Sequence, residues 1–206
     1  MKKLLSIIAT LSVISPAFAT EENGFSYDYV EGGYAYWNVV NNESSSSDQN
    51  FDGGRIKASY AITDGIHIFS SYHDIDPKGE NRNGAQYALN AIGLGIHRPI
   101  YKDTDIVVDF SRKSFKVKVS DEDIELDEKV DTLDIGVRYH LSNDTELTAS
   151  IQRNYFRDDD DYYGAGIGII KDISKDYSVN LNIASLERKD GKYDWNRGFL
   201  GVRYHY

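Results

Sequence analysis

The sequence predicts an all-β protein, a closed antiparallel up-and-down transmembrane β-barrel of ten strands, with eight strands as the alternative. The chain opens with a short apolar leader, most of the rest alternates apolar and polar side chains with a period of two, and the last residues carry regularly spaced aromatic side chains. The alternation is typical of β-strands. No segment after the leader is apolar for long enough to form a transmembrane helix, so the pattern indicates either an exported soluble protein or a barrel.

Composition narrows the possible functions. The chain has 206 residues and no cysteine, and 33 acidic residues outnumber 23 Lys and Arg for a net charge of −10. The length fits one domain. The lack of thiols excludes a disulfide framework, a cysteine zinc site and thiol catalysis, and the acidic excess argues against nucleic-acid binding. Tyrosine is unusually frequent, with 16 residues.

The first nineteen residues have the layout of a cleaved signal peptide. Lys2 and Lys3 form a positive start, Leu4–Ile14 is an apolar core of the usual signal-peptide length, and Ala17-Phe18-Ala19 supplies the small residues before a cleavage site. A membrane anchor would need about 20 apolar residues. We therefore expect export, a mature chain beginning at Thr20, and a barrel domain over residues 20–206.

The alternation defines the expected strands. In Val130–Leu141, the residues Leu133, Ile135 and Val137 fall on one face, with polar residues between them. Ten such segments are expected, at about 25–37, 54–62, 66–73, 85–97, 105–113, 130–141, 146–156, 163–171, 177–186 and 196–206. An even number of strands places both chain ends on the periplasmic side of an outer membrane.

The connections between these segments alternate in length. Short links occur at Thr63–Gly65, Pro99–Thr104, Ser142–Thr145 and Asp172–Asp176, and mostly longer polar links separate them. Short periplasmic turns and longer outer loops are typical of outer-membrane barrels.

Charged residues within the strands are expected to face the barrel interior, because a charge that faces lipid at mid-depth is costly. By position in the alternation, the inward set is Glu31, Arg55, Lys57, Asp109, Asp134, Arg138 and Arg203. Both signs are present, and a ten-stranded barrel has little free space once such side chains fill it. A salt-bridged plug is the favoured interpretation, and an ion-conducting pore is the alternative.

One register is predicted for the fifth and sixth strands. Pairing Val119 with Ile124 gives the following opposed pairs: Lys118 with Glu125, Lys116 with Asp127, Phe110 with Leu133, Val108 with Ile135, Asp105 with Arg138, and Asp109 with Asp134. Opposite charges across strands stabilise a hairpin, so we expect this hairpin to continue past the membrane. Facing carboxylates repel each other, so Arg55, Lys57 or another inward base should lie beside Asp109 and Asp134.

Few residues are candidates for chemistry. His73-Asp74 is the one pair that imitates the His-Asp pairs of outer-membrane proteases, and a lipid- or peptide-hydrolysing enzyme that uses His73 is the third functional hypothesis. No second histidine lies near enough in sequence to complete a metal site. Four consecutive carboxylates, Asp158, Asp159, Asp160 and Asp161, are weak candidates for a divalent-cation site that bridges to lipopolysaccharide. No catalytic residue and no cofactor are predicted.

The chain ends in Gly201-Val202-Arg203-Tyr204-His205-Tyr206, with aromatic side chains at the last and third-last positions. This ending resembles the C-terminal signature of outer-membrane barrels, which implies that Gly201, Tyr204 and Tyr206 are read by the barrel-assembly machinery. The whole pattern resembles the small Gram-negative barrels of the OmpA-transmembrane-domain and OmpX class. Residues Phe25–Tyr34 are separately similar to the tyrosine-rich opening of an uncharacterised family of small outer-membrane proteins.

These inferences give one leading functional hypothesis. We expect a monomeric, non-enzymatic barrel with acidic outer loops, which contacts outer-membrane lipids and lipopolysaccharide and serves envelope integrity or surface interaction. A narrow ion or solute channel is the alternative.

Overall fold

The protein forms ten β-strands in a computed structural model that describes residues 24–42, 48–78, 85–119, 124–156 and 161–206. The strands are β1 (Tyr29–Asn41), β2 (Gln49–Thr63), β3 (Ile66–Pro77), β4 (Ala85–Tyr101), β5 (Thr104–Val119), β6 (Ile124–Ser142), β7 (Thr145–Phe156), β8 (Tyr162–Asp172), β9 (Tyr177–Arg188) and β10 (Tyr193–His205). No helix long and apolar enough to span a membrane occurs among these residues.

Each strand pairs antiparallel with its neighbour in sequence, and β1 pairs with β10 to close the barrel. The closure confirms the prediction of ten strands rather than eight. Because every strand has two partners, the sheet has no open edge with unpaired backbone groups. Such closure is what allows a β-structure to cross lipid.

The two faces of the barrel differ as the alternation predicts. Large apolar side chains point outward and are well exposed, among them Ile92 (68%), Ile151 (63%) and Ile167 (59%). Their neighbours in sequence point inward, because successive side chains of a strand lie on opposite faces. The outer face is therefore an apolar band suited to acyl chains, and the inner face carries the charged residues.

The predicted register of β5 and β6 is confirmed along its whole length. Val119 lies opposite Ile124, Asp109 opposite Asp134, and Asp105 opposite Arg138. These two strands include the longest of the barrel, with 16 and 19 residues. Their outer parts rise beyond the apolar band, where Arg112 makes a two-pronged ion pair with Asp131 at 2.8 and 2.9 Å.

The predicted start of the first strand was wrong. β1 begins at Tyr29, not near residue 25, because the preceding residues leave the sheet and enter the barrel. Asp28 marks the change of direction, since its carboxylate accepts a hydrogen bond from the backbone N–H of Ala61 at 2.7 Å. Phe25 and Tyr27 are then buried in the periplasmic mouth.

Candidate functional site

The interior of the barrel has three levels, which we name from the periplasmic end outward. A lower plug contains Tyr27, Tyr29, Glu31 and the residues that bind them. A chamber lies above it, and an upper seal of apolar and aromatic side chains lies between the chamber and the outer mouth. The three levels are built from inward-facing positions of nearly every strand.

Glu31 is the centre of the lower plug. Only 1% of its surface is exposed. Its Oε2 accepts hydrogen bonds from Arg203 Nη2 and Nε at 2.9 and 3.1 Å, and from Asn180 Nδ2 at 2.6 Å. Arg55 approaches Oε1 at 3.7 Å, and the guanidinium of Arg203 stacks 3.8 Å from the ring of Tyr29. A buried carboxylate needs such partners because it has left water.

A second ion pair lies nearer the periplasm. Arg138 donates to both carboxylate oxygens of Glu146 at 2.7 to 3.0 Å. Its guanidinium also lies 4.8 Å from the ring centre of Phe25 and 4.6 Å from that of Tyr27, and it donates to the backbone carbonyl of Ser26 at 3.0 Å. Arg138 therefore holds the segment that precedes β1 inside the barrel.

Histidine rings complete this lower level. Tyr27 stacks on His97 with ring centres 3.6 Å apart, and Phe25 stacks on His140 at 3.9 Å. The Tyr27 hydroxyl donates to Asp105 at 3.1 Å. Burial raises the pKa of Tyr27 well above its usual range, so the hydroxyl keeps its proton and remains a donor. These rings therefore lie inside the periplasmic mouth.

The upper seal consists of apolar side chains that point inward. Trp37, Phe51, Ile75, Leu89 and Phe199 are at most 8% exposed and pack together with Ala35. Around them lie further rings, with Trp195 in edge contact with Trp37, Phe115 and Tyr162 at centre distances of 5.9 to 6.4 Å. Aromatic pairs favour such tilted arrangements, and the cluster occupies the lumen below the outer mouth.

Between these two levels lies the chamber, a cavity of about 310 Å³. Its charged lining is unbalanced: five cationic residues face three carboxylates. The cationic residues are Arg55, Lys57, Lys113, Arg197 and Arg203, and the carboxylates are Glu31, Asp109 and Asp134. The neutral polar residues of the lining include His73, Ser150 and Asn182.

The facing carboxylates of Asp109 and Asp134 have partners of different kinds. His67 Nε2 lies 3.2 Å from Asp109 Oδ1, and Ser150 donates to Asp134 Oδ2 at 3.2 Å. The expected neighbouring base is thus present, but it is His67. Arg55 lies against Glu31 instead, and the ammonium of Lys57 lies 4.8 Å from the ring centre of Phe69.

All seven residues of the predicted charge network lie on inward positions, and the structure divides them between two levels. Arg138 belongs to the lower plug alone. Glu31, Arg203 and Arg55 belong to the plug and also face the chamber, and Lys57, Asp109 and Asp134 line the chamber. Lys113, Arg197 and the aromatic rings of the upper seal were not predicted. The sequence did hold a signal for the two cations, because Lys113 shares its position in the alternation with Asp109, and Arg197 with Arg203.

The remaining predicted residues lie apart from the chamber. Tyr204 and Tyr206 sit at the periplasmic end of β10, on the outer face. Gly201 is a point of close packing, since a Cβ atom there would lie 2.4 Å from the ring of Phe199 and 2.7 Å from the Gly32 carbonyl oxygen. Recognition of these three residues by the assembly machinery stays a prediction.

The acidic run lies mostly outside the described residues, which exclude Asp158, Asp159 and Asp160. Asp161 is described, and its carboxylate accepts hydrogen bonds from Arg153 at 2.5 and 3.0 Å. Within the described ranges, no group of three His, Asp or Glu side chains is placed to hold a metal ion.

His73 points inward from β3. It lines the chamber and lies 5.7 Å from Trp37 between ring centres. Asp74 follows it on β3 and is exposed on the opposite face. The two side chains therefore cannot act together on one substrate.

A protein-family model matches most of the chain. The model of the outer membrane protein beta-barrel domain matches residues 5–171, and the chain belongs to that family of outer-membrane proteins. Comparison with curated proteins gives no match.

Solved outer-membrane proteins align with this chain over most of its length. An outer membrane channel from Pseudomonas putida F1 aligns with a TM-score of 0.58 and 7% identity over 93% of this chain and all of that one. Ail, the attachment invasion locus protein of Yersinia pestis, aligns at 0.44 and 10% identity over 88% of this chain and all of Ail. Neisserial surface protein A aligns at 0.44 and 15% identity, over 88% of this chain and 98% of that one.

Proposed function

We propose that this protein is a closed, non-enzymatic barrel that serves envelope integrity or surface interaction. The observation that carries the proposal is the obstruction of the lumen at two separate levels. Glu31 and its partners fill the lower level, and Trp37, Phe51 and Phe199 fill the upper one. A solute would have to displace both a buried ion-pair network and an apolar cluster to pass through the barrel.

The outer rim is the surface that we assign to contact. Above the apolar band, the outward positions of the described strands carry a charged girdle, which consists of Asp52, Asp74, Asp76, Arg112, Lys129, Asp131, Arg153, Glu187 and Asp194. Tyr34 and Lys78 both bind Asp52, at 2.7 and 2.8 Å. We infer that this girdle meets lipopolysaccharide headgroups, with acidic residues bridged by divalent cations. We expect the barrel to work as a monomer.

The narrow channel is the competing function, and the chamber favours it. A cavity already exists in mid-barrel, and its excess of cationic residues would select anions. The two hypotheses differ in whether the folded barrel conducts.

Planar-bilayer recording distinguishes them. The purified protein, shown to be folded by its different gel migration before and after boiling, is expected to give no steady unit conductance. A variant with Trp37→Ala, Phe51→Ala and Trp195→Ala removes much of the upper seal and serves as a control for the lower plug, which should still block the current. Steady unit conductance from the folded wild-type protein would overturn the closed-barrel proposal.

A further inference from the structure

Three cationic side chains of the chamber form no salt bridge with a carboxylate in the described part of the chain. Within the described part of the chain, Arg197 has no hydrogen bond or ion pair, and Lys113 donates only to the amide oxygen of Asn154, at 3.1 Å. The Lys57 ammonium lies over the rings of Phe69 and Tyr29 at 4.8 and 5.7 Å. Charges enclosed in a protein are normally paired, because an isolated one loses its hydration without compensation.

These cations are also close enough to repel one another. The ammonium of Lys113 lies within electrostatic range of the guanidinium groups of Arg197 and Arg55. Like charges in a medium of low dielectric constant raise each other's energy strongly. Asp134 lies within electrostatic range of both Lys113 and Arg197 and offsets part of this repulsion. One carboxylate does not balance two cations, and the other two carboxylates are engaged elsewhere, since Glu31 is bound by Arg203 and Asn180 and Asp109 contacts His67.

We propose that the chamber is a binding site for a small divalent oxyanion of the phosphate or sulfate type. The five cationic and three anionic residues of the lining leave two positive charges in excess, which one such anion neutralises. Guanidinium groups suit this class because their planar donors match two oxygens of a tetrahedral oxyanion. Arg55 and Arg197 also retain buried Nε atoms without an acceptor on the protein.

The size of the chamber agrees with this ligand. A cavity of about 310 Å³ exceeds the roughly 30 Å³ that a water molecule occupies in the liquid. It accommodates one oxyanion with several waters that bridge it to Ser150, Asn182 and the other polar residues of the wall. A lipid headgroup is not the source, since acyl chains attached to it would have to cross the barrel wall or the upper seal.

A direct test rests on the proposed function: in a barrel closed at both ends, the anion enters as the barrel forms and leaves slowly. Protein refolded in phospholipid-free detergent with radiolabelled inorganic phosphate is passed through a desalting column, and retained phosphate is counted per folded barrel. We expect about one phosphate per wild-type barrel, by charge balance, and none on the urea-unfolded chain.

Matched variants locate the site. Lys113→Met with Arg197→Met should reduce the affinity at least about tenfold, because two charged donors are lost. Arg112→Met with Lys129→Met removes two cations from the outer faces of β5 and β6 and should leave phosphate retention unchanged. Asp134→Asn removes a competing negative charge and should retain more phosphate than the wild type when both are refolded at a phosphate concentration that only partly loads the wild-type barrel.

Two results overturn the proposal. One is retention by folded wild-type protein that does not exceed that of the unfolded chain. The other is retention by the inner double variant that equals that of the outer one. If the inner double variant fails to fold, Asp134→Asn decides the question together with the wild type. Equal or lower retention by Asp134→Asn at the phosphate concentration that partly loads the wild type refutes an anion site in the chamber.

Discussion

Replacing Glu31 by glutamine tests how the lower plug contributes to stability. The substitution keeps the shape of the side chain but removes the negative charge that holds Arg203, Arg55 and the amide of Asn180. Arg203 is 6% exposed, so its charge would stay enclosed without its strongest partner. Breaking one side of a buried ion pair costs about 3 to 5 kcal/mol. We expect the free energy of unfolding to fall by about that amount.

Urea unfolding in detergent measures this loss, with tryptophan fluorescence as the signal, since both tryptophans lie in or beside the upper seal. The double variant Glu31→Gln with Arg203→Met should recover much of the stability, because it removes the unpaired charge. Asp131→Asn breaks an ion pair of similar geometry with Arg112 on the exposed rim and should have a much smaller effect. Equal losses for Glu31→Gln and Asp131→Asn would refute the account of the lower plug.

Three further predictions concern other levels of the barrel. Gly95→Ala should destabilise the barrel by about 1 to 3 kcal/mol in the same assay, because the new Cβ would lie 2.1 Å from His67 and 2.2 Å from Asp109. Gly54→Ala is the control and should leave stability unchanged, because a Cβ there would have no atom within 4 Å. Tyr27→Ala should open the periplasmic mouth and speed the modification of His97 by a water-soluble imidazole reagent, and an unchanged rate contradicts this. A hydrogen bond from Lys171 lowers the pKa of Asp144 in the β6–β7 turn. The wild type should therefore be more stable than Asp144→Asn above the usual carboxyl pKa of about 4, and this difference should shrink as the pH falls below that value.

The division between inner and outer faces could be predicted because alternation is a local property of the chain. The register of β5 and β6 followed from it, since a slip by one residue would turn every side chain to the wrong face. Lys113 and Arg197 obey the same alternation, so their inward positions were within reach of the sequence. That they form no salt bridge could not be predicted, because it depends on where the side chains of other strands end.

The start of β1 could not be read from the sequence. Phe25, Tyr27 and Tyr29 continue one alternating series, which is why the strand was extended to residue 25. Contacts with distant parts of the chain end it earlier, among them the bond from Ala61 to Asp28 and the stacking of Tyr27 on His97. The upper seal was missed for a related reason, because Trp37 and Phe51 are apolar at positions where the alternation leads one to expect polar side chains.

In the closed barrel that we propose, lipid-facing strands enclose a lumen that is blocked at both ends. Because the chain has no cysteine, a single introduced cysteine reports the accessibility of its own position. In liposomes, Ser150→Cys in the chamber wall should resist a membrane-impermeant maleimide, and a fluorophore on Ala149→Cys, its outward neighbour, should be quenched by brominated lipid. Asp76→Cys on the exposed rim should react rapidly. Rapid labelling of Ser150→Cys in the folded barrel would contradict the account.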